Sequence, residues 1–365
     1  MSALLLAGAM LALASPALEA EAEALRAQAG LPAVALARIS CGRVETAMSG
    51  VPRLDRPDAP WPASSRFAIG SNAKAMLATA AMRMAGRGEI AMDAPLGTLW
   101  PDAAGNGAAA AITLRQLLAH RSGLPPFSSG RELDRVPALG GGGDHAGESA
   151  TVATARWFLA QPMAGAPGEA LLYSNAGYVV AGALLERAAG MPLGDVLARE
   201  VFAPLRLDAV MGAPRDHEPL GPHGHVEEGE GLVPYLDAAP ALPPFLEAAG
   251  NVSLSPADYA RFVEAQLCAL EGRGNALLAP GAAAQMHRPV AEEASLGWGR
   301  VELGGQLLSF HIGGTGTFTA YAAIAPGADR AVIALTNAGG DRAGALQGWL
   351  VAQFPAGDDK VEEAP

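Results

Sequence analysis

One lysine stands out in a chain that otherwise carries its positive charge on arginine. Lys74 and Lys360 are the only lysines, and arginine supplies the other 23 of the 25 basic residues. Lys360 lies in the C-terminal tail, so Lys74 is the one amine expected inside the fold. A guanidinium stays protonated, whereas burial and neighbouring charges can bring an amine towards neutrality. The scarcity of lysine therefore indicates that Lys74 takes part in proton transfer.

Ser71 stands three residues before Lys74, within the segment Gly-Ser-Asn-Ala-Lys that begins at Gly70. Residues at this spacing share one face of a helix. At a helix N-terminus the backbone N–H of Ser71 would point outward with the positive end of the dipole, which favours an oxyanion. A hydroxyl beside a neutral amine is an activated nucleophile. Serine is also a common helix cap, so this pair predicts a nucleophile only together with further site residues.

Two further segments supply those residues. One is Tyr173-Ser174-Asn175, and the other is the run from His311 to Gly316 at the end of an apolar strand. In chain order the three motifs are Ser-x-x-Lys, Tyr-x-Asn and His-x-Gly. This pattern resembles the penicillin-binding-protein and β-lactamase superfamily of serine hydrolases. The closest resemblance is to the branch with class C β-lactamases, D-alanyl-D-alanine carboxypeptidases, D-aminopeptidases and β-lactamase-like esterases, and it extends to segments 112–125, 202–205, 249–255 and 296–299.

The resemblance implies a role for each motif residue. Ser71 would be acylated, and Lys74 and Tyr173 would share the proton transfers, with the pKa of Tyr173 lowered by a neighbouring ammonium. The backbone N–H groups of Ser71 and Gly314 would form the oxyanion hole. Asn175 would hold Lys74 or the substrate amide, and Gly313 would let the strand approach the substrate. The residues implied to bind substrate are Asn175, His311, Gly313 and Thr315; no metal and no cofactor are implied.

One departure from the pattern bears on the substrate. Class C β-lactamases carry Lys-Thr-Gly where this chain has His311-Ile312-Gly313. A histidine is mostly neutral at pH 7, and isoleucine lacks the hydroxyl of threonine. We therefore expect a β-lactamase-related serine hydrolase that forms an acyl-enzyme on Ser71 and acts on a small ester, amide or D-amino-acid peptide. The alternatives are a class C-type β-lactamase proper and a slowly deacylating penicillin-binding sensor domain.

Histidines elsewhere raise a third alternative, a metal-dependent hydrolase. His217, His223 and His225 lie close together in sequence, but a short loop lacks the helical spacing of metal-binding histidine motifs. We predict no metal site there. His120, in the segment His-Arg-Ser-Gly-Leu-Pro, is expected to brace its own loop rather than to catalyse.

The elements that must position the motifs lie at both ends of the chain. Periodicity predicts a helix over 19–29, strands over 31–39 and 44–49, a helix over 71–85, strands over 300–303, 307–312, 317–325 and 330–337, and a helix over 342–354. The middle, 112–270, is expected to be helical, with loops at 140–143 and 213–244. This order predicts an α/β (α+β) fold in which an antiparallel sheet flanked by helices is built from both chain ends. A mostly helical lobe is inserted between the two halves of the sheet. The resemblance implies the β-lactamase/transpeptidase type of this fold. The expected bounds are 18–75 plus 290–354 for the sheet lobe and 76–289 for the helical lobe, within one catalytic domain whose site lies in the cleft between them.

Composition limits the partners. Half of the 365 residues are hydrophobic, which is enough for a large core. The net charge of −12 argues against nucleic-acid binding. The apolar run Ala3–Ala14 is too short to span a bilayer. The expected partner is the small-molecule substrate that the family resemblance implies, and the oligomeric state stays open.

The two ends and the two cysteines bear on location. Residues 1–17 are predicted to be a signal segment with Ala12-Leu13-Ala14 as its cleavage site, although no basic residue precedes Arg26. This favours a periplasmic or secreted protein, with the cytoplasm as the alternative. For Cys41 and Cys268, two buried free thiols are favoured over a disulfide, because a chain of this length needs no crosslink. Residues 355–365 are expected to form a frayed tail.

Overall fold

The computed structural model describes residues 13–105, 107–139, 148–217, 221–237, 242–290 and 294–355. Its strands are Leu13–Ala14 (β1), Ala33–Ser40 (β2), Arg43–Gly50 (β3), Phe67–Ala68 (β4), Val210–Met211 (β5), His225–Glu228 (β6), Gly231–Pro234 (β7), Val252–Leu254 (β8), Gly299–Leu303 (β9), Gln306–Gly314 (β10), Thr319–Ala325 (β11) and Arg330–Thr336 (β12).

Helices occupy most of the remaining chain. They are Pro16–Ala29 (α1), Ala73–Gly86 (α2), Leu96–Leu99 (α3), Pro101–Ala104 (α4), Leu114–Leu118 (α5), Gly130–Leu133 (α6), Ala150–Leu159 (α7), Asn175–Ala189 (α8), Leu193–Leu197 (α9), Ala203–Leu205 (α10), Pro214–His217 (α11), Glu247–Gly250 (α12), Pro256–Leu270 (α13), Pro280–His287 (α14) and Ala345–Ala352 (α15). Short 3-10 turns form at Gly70–Asn72, Ala108–Ala111, Pro244–Leu246 and Asp341–Gly344, and Ala198–Phe202 is a π-helical turn.

Strands from both chain ends form one seven-stranded sheet in the order β1-β3-β2-β12-β11-β10-β9. The two halves join where β2 pairs antiparallel with β12, from Val34 opposite Thr336 to Ile39 opposite Ala331. Only the two-residue strand β1 runs parallel to its neighbour. The predicted fold class is confirmed: the sheet is antiparallel, built from both ends and flanked by helices.

Alternate residues of the central strands face different cores, as the two-residue period of a strand requires. Val34 and Leu36 of β2 pack with α1 and α15 on one face of the sheet. Ala35, Ala37 and Ile39 face the larger core, which includes α2, α8 and α13. The helix α2, which carries Lys74, is therefore buried between the sheet and the inserted helices.

The predicted helix and strand positions agree with the structure to within a few residues, except in two places. The loop expected over 213–244 contains α11 and a hairpin of β6 and β7. A second, small sheet of order β4-β8-β5 was also missed. The segment from Phe67 to Gly70 was expected to be extended, but its partners β5 and β8 are too short to show alternation. The 140–143 loop lies outside the described residues.

A disulfide bond joins Cys41 and Cys268, so the expectation of two free thiols was wrong. Cys41 is in the turn between β2 and β3, and Cys268 is in α13, which packs on that end of the sheet. Chain length argues only that a crosslink is unnecessary, whereas packing decides whether two cysteines can meet.

Predictions for the chain ends fall mostly outside the described residues. Residues 1–12 of the predicted signal segment and 356–365 of the predicted tail are not described. Leu13 and Ala14 pair with β3, and Ser15 caps α1 by accepting a hydrogen bond from the N–H of Leu18. Within the described ranges, no helix is long and apolar enough to cross a membrane.

Candidate active site

Ser71 lies in the 3-10 turn Gly70–Asn72, which leads directly into α2. The preceding residue, Gly70, has φ +51°, and a side chain there would come within 2.6 Å of the backbone nitrogen of Gly314. Only glycine adopts this backbone conformation at little cost and leaves room for the strand. The turn thus presents the Ser71 hydroxyl and its N–H beside the end of β10.

Lys74 is fully buried one helical turn further on. Its Nζ lies 2.9 Å from Oγ of Ser71 and donates a hydrogen bond to the carbonyl oxygen of Ala249 at 2.6 Å. Burial, which penalises the charged form, holds the pKa of Lys74 well below its usual range. A neutral amine has a lone pair that can accept the proton of Ser71, which is the property inferred from the scarcity of lysine.

The hydroxyl of Tyr173 donates a hydrogen bond to Oγ of Ser71 at 2.8 Å. Although 37% of the residue is exposed at the mouth of the site, burial raises the pKa of Tyr173 to about 12, and the hydrogen bond with Ser71 offsets this only in part. The expectation that an ammonium lowers this pKa was wrong, because burial of the phenol outweighs the hydrogen bond with Ser71. A phenol with a raised pKa stays protonated at neutral pH and can donate a hydrogen bond.

His120 holds Tyr173 from behind. The imidazole packs on the phenol ring, with ring centroids 4.3 Å apart and 32° between the planes. Both neighbours of the tyrosine also bond to His120: Leu172 N–H donates to its carbonyl at 2.8 Å, and Ser174 N–H donates to its Nδ1 at 3.1 Å. Burial keeps the pKa of His120 well below its usual range. The histidine braces the tyrosine segment, a contact that its position in sequence did not indicate.

Asn175 begins α8, directly after the capping residue Ser174. Its Nδ2 donates to the carbonyl of Phe127 at 3.0 Å. Its Oδ1 is buried and has no hydrogen-bond partner among the described residues. Of the two roles implied for Asn175, holding Lys74 finds no support, because the lysine amine bonds to Ser71 and Ala249 instead. The unpartnered oxygen favours the other role, acceptance of a substrate N–H.

The end of β10 places a second backbone donor beside Ser71. Thr315 N–H bonds to Phe318 O, and Gly314 lies opposite Thr319 in the next strand. Because hydrogen-bonded and non-hydrogen-bonded pairs alternate along an antiparallel ladder, the N–H of Gly314 points away from β11. It is therefore free to act with the N–H of Ser71, which belongs to the first turn before α2 and lacks a partner within the helix. Two such donors can stabilise an oxyanion.

Gly313 packs closely against the protein. A side chain at this position would come within 2.0 Å of the carbonyl oxygen of Ile69 and 2.9 Å of the nitrogen of Ser71. Glycine is required because the strand packs directly on the turn that carries Ser71. The close packing of Gly313 brings the N–H of Gly314 towards the N–H of Ser71, and the contact of Gly313 with substrate stays a prediction.

Two other residues implied to bind substrate are also buried. Thr315 uses its hydroxyl within the β10–β11 turn, where it accepts from Phe318 N–H at 3.0 Å and lies 3.1 Å from the Thr317 hydroxyl. We therefore assign it to the turn. His311 keeps a position at the site, with Nδ1 3.1 Å from the carbonyl of Ile312. Burial, followed by the proximity of Lys74, lowers its pKa to about 3, so its imidazole is neutral.

Asn72 was missed in the sequence although it stands between Ser71 and Lys74. Its Nδ2 donates to the carbonyls of Ile69 at 3.1 Å and Ala320 at 3.0 Å, and its Oδ1 accepts from the Tyr259 hydroxyl at 2.7 Å. The side chain thereby ties the nucleophile turn to β11 and α13. The only available signal was a polar residue on the buried face of a helix, which does not reveal its partners.

Two cavities meet at Tyr173. One, of about 150 Å³, is lined by Ser71, Ser128, Leu133, Tyr173, Asn175, Leu242, Leu246, Ala249, Gly250 and Gly314. The other, of about 210 Å³, is lined by His120, Leu171, Tyr173, Ala294, Trp298, Gly299, Phe310, His311 and Ile312. Larger grooves of about 550 and 670 Å³ lie elsewhere and contain none of the motif residues.

The histidines considered as metal ligands have other partners. Nδ1 of His225 lies 2.8 Å from the carbonyl of Asn337, and its Nε2 accepts from Leu54 N–H. Nε2 of His223 lies 3.5 Å from the guanidinium of Arg53. In the described part of the chain, no group of three or more histidine, cysteine, aspartate or glutamate side chains is arranged to hold a metal ion.

Comparison with known proteins identifies relatives over nearly the whole chain. A sequence profile of the Beta-lactamase family matches residues 18–354. Penicillin-binding protein 4 of Amycolatopsis lactamdurans is 27% identical over 341 residues, covering 87% of this chain and 84% of that protein. Unguisins hydrolase ungD of Aspergillus violaceofuscus is 27% identical over 271 residues, covering 63% of this chain and only 44% of that protein.

Solved structures show the same fold. A D-amino acid amidase from Ochrobactrum anthropi SV3, complexed with L-phenylalanine amide, superposes with a TM-score of 0.72 at 22% sequence identity. The match covers 93% of this chain and 97% of the amidase.

Proposed function

Since the chain belongs to the beta-lactamase family, we propose that it is a serine hydrolase that forms an acyl-enzyme on Ser71 from a small ester, amide or D-amino-acid peptide. One observation carries the proposal: Oγ of Ser71 lies 2.9 Å from the buried amine of Lys74 and 2.8 Å from the hydroxyl of Tyr173. A nucleophile, a neutral base and a proton donor within hydrogen-bond reach are the parts that acyl transfer requires.

The geometry supports a balanced sequence of proton transfers. Lys74 takes the proton from Ser71 as its oxygen attacks the carbonyl carbon, and the N–H groups of Ser71 and Gly314 bind the oxygen that becomes negative. Tyr173 then gives its proton to the leaving group and regains one from the lysine ammonium. In deacylation, water loses a proton to the same pair, and the ester breaks with return of that proton to Ser71. The site ends in its starting state.

Neutral His311 and the aliphatic Ile312 favour esters, amides or peptides over β-lactam antibiotics. A β-lactam carries a carboxylate, and a neutral imidazole cannot pair with it as an ammonium can. The relatives fit this breadth, since a D-amino acid amidase and a penicillin-binding protein are both among them. Hydrolysis of a cephalosporin would favour a class C-type β-lactamase, and stoichiometric labelling by a fluorescent penicillin without release would favour a sensor domain.

The test combines turnover with identification of the adduct. With p-nitrophenyl acetate, intact-mass measurement should show an acetylated protein and peptide mapping should place the acetyl group on Ser71. Ser71→Ala should abolish both the adduct and turnover. Ser128→Ala is the matched control, because Ser128 lines the same cavity and should leave the adduct in place. Activity that survives Ser71→Ala but is lost with a chelator would overturn the proposal in favour of a metal-dependent hydrolase.

We further propose that the protein is exported, to the periplasm or the medium. The disulfide between Cys41 and Cys268 supports this, because such bonds persist in oxidising compartments and are rare in the cytosol. Fractionation of the native host should recover the protein outside the cytoplasm without free thiols. Recovery in the cytosol with both cysteines reactive towards maleimide would refute it.

A further inference from the structure

We propose that the cavity between Tyr173 and His311 receives the leaving group of the substrate and selects an apolar, uncharged alcohol or amine. The proposal rests on the function proposed above and narrows its substrate class. It would exclude peptides that release an amino acid with a free carboxylate, and it would favour esters and amides of apolar alcohols and amines.

The two cavities can be assigned from the reaction geometry. The carbonyl under attack must lie against Oγ of Ser71 with its oxygen at the N–H of Gly314, and both residues line the smaller cavity. The acyl part therefore occupies that side, next to the unpartnered Oδ1 of Asn175. The leaving group must stay within reach of the Tyr173 hydroxyl, which protonates it. The larger cavity shares Tyr173 but contains neither Ser71 nor Gly314, so it is the space left for the leaving group.

The walls of this cavity are apolar. Most of the lining side chains are apolar or aromatic: Leu171, Ala294, Trp298, Phe310 and Ile312. The described lining residues include no aspartate, glutamate, lysine or arginine. Leu171 is 39% exposed and Ile312 is 44% exposed, and both line this one cavity. An apolar ligand in the cavity would cover both side chains and remove their apolar surface from water.

The two histidines of the cavity lining are both neutral, and its other polar side chains, Tyr173 and Trp298, carry no cation. His120 and His311 are buried, and burial lowers the pKa of each well below its usual range. Lys74, whose amine lies 5.0 Å from the ring centroid of Tyr173, also has a pKa lowered by burial, and its amine is engaged by Ser71 and Ala249. A carboxylate placed here would lose its water and gain no cation, which is costly. An uncharged group of the same size would meet no such penalty.

Three acetyl esters that differ only in the leaving group provide the test. Benzyl acetate releases an apolar alcohol, O-acetylmandelate adds one carboxylate to it, and O-acetylmandelamide adds an uncharged group of similar size. We expect kcat/KM for O-acetylmandelate to be about 100-fold below that of the other two esters, because its carboxylate would be buried in the cavity without a cation. The amide separates the effect of charge from the effect of volume.

A charge introduced at the cavity sharpens the test. Ile312→Lys places an ammonium at an exposed position on β10 and should raise the ratio of acid to amide turnover at least tenfold. Leu307→Lys is the matched control, because Leu307 is 50% exposed on the same strand but does not line this cavity. Its ratio should equal that of the wild type.

The outcomes separate this inference from the proposed function. If Ser71 is acetylated by p-nitrophenyl acetate but O-acetylmandelate is cleaved as fast as the amide, the leaving-group assignment is overturned and the serine mechanism stands. An unchanged ratio in Ile312→Lys, or refusal of all three esters by an enzyme that still acetylates, overturns the assignment as well. Turnover without a Ser71 adduct would instead refute the serine mechanism.

Discussion

The neutral state of Lys74 can be measured through protein stability, independently of any substrate. Its pKa is lowered by burial in the folded protein, whereas in the unfolded chain an exposed lysine has a pKa of about 10.4. At pH values above the lowered pKa of the folded state and below the pKa of the unfolded state, the unfolded protein binds one more proton than the folded protein. The free energy of unfolding must then rise with pH by about 1.4 kcal/mol per pH unit. Lys74→Met keeps the length of the side chain and removes the proton.

The window from pH 8.0 to 9.5 isolates this group. The free energy of unfolding of the wild type should rise relative to Lys74→Met by about 2 kcal/mol across it. His120 and His311 are neutral above pH 8 in both states, because folding lowers their pKa further. Tyr173, whose pKa is raised to about 12 in the fold, is present in both proteins and its contribution cancels.

Equilibrium unfolding in urea, followed by the fluorescence of the five tryptophans, provides the assay. Ser71→Ala is the control variant, because it is inactive yet retains the amine and should keep the slope of the wild type. A wild-type advantage that stays constant from pH 8.0 to 9.5 would show that Lys74 is charged in the folded protein. The assignment of the lysine as general base would then fail.

Three further changes test the parts that support the site. Gly313→Ala should lower kcat/KM at least 100-fold in steady-state assays, because its methyl group would come within 2.0 Å of a backbone carbonyl and displace an oxyanion donor. The control is Gly86→Ala, where a methyl group meets nothing within 4 Å and kcat/KM should not change. Equal kcat/KM values for the two variants would contradict this prediction. His120→Ala should reduce kcat by about 100-fold through misplacement of the tyrosine, and a normal kcat would show that the ring contact is dispensable. Loss of the Cys41–Cys268 bond, which closes a separation of 227 residues, should lower the free energy of unfolding by about 2 to 5 kcal/mol in urea titrations, and equal midpoints with and without reductant would refute this.

The sheet was predictable because its strands are long enough to show their pattern. In β2 and β12 alternate residues face two different cores, and short apolar runs between glycine turns identify the strands from β9 to β12. The small strands β5 and β8 were not predicted, since two or three residues carry no periodicity, and the pairing of the extended segment at Phe67 with β8 was therefore missed as well. The β6–β7 hairpin was predicted to be a loop, because its segment is rich in proline, glycine and glutamate, a composition typical of loops.

The site was predictable as far as its chemistry needs particular residue types. Ser71 and Lys74 were identified from such types and Tyr173 from the motif resemblance, and the three residues meet in the structure. His120 and Asn72 act through contacts between segments distant in sequence, which no local pattern reveals. The pKa of Tyr173 was expected to be lowered but is raised. The direction of this shift depends on the burial of the phenol and of the neighbouring amine, which the sequence does not show.

The pairing of β2 with β12 also bears on the stage of synthesis and folding at which the active site can form. The hydroxyl of Thr336 donates to the carbonyl of Ala33, 303 residues earlier in the chain. A ribosome makes the β2–β3 hairpin first, and its open edge waits for strands synthesised much later. Ser71 lies early in the chain, whereas the N–H of Gly314, the second donor of the proposed oxyanion site, reaches it only when β10 packs on the turn. We therefore expect nascent or half-folded chains to be inactive. We expect activity to appear in the same folding step that covers the open edge of the hairpin.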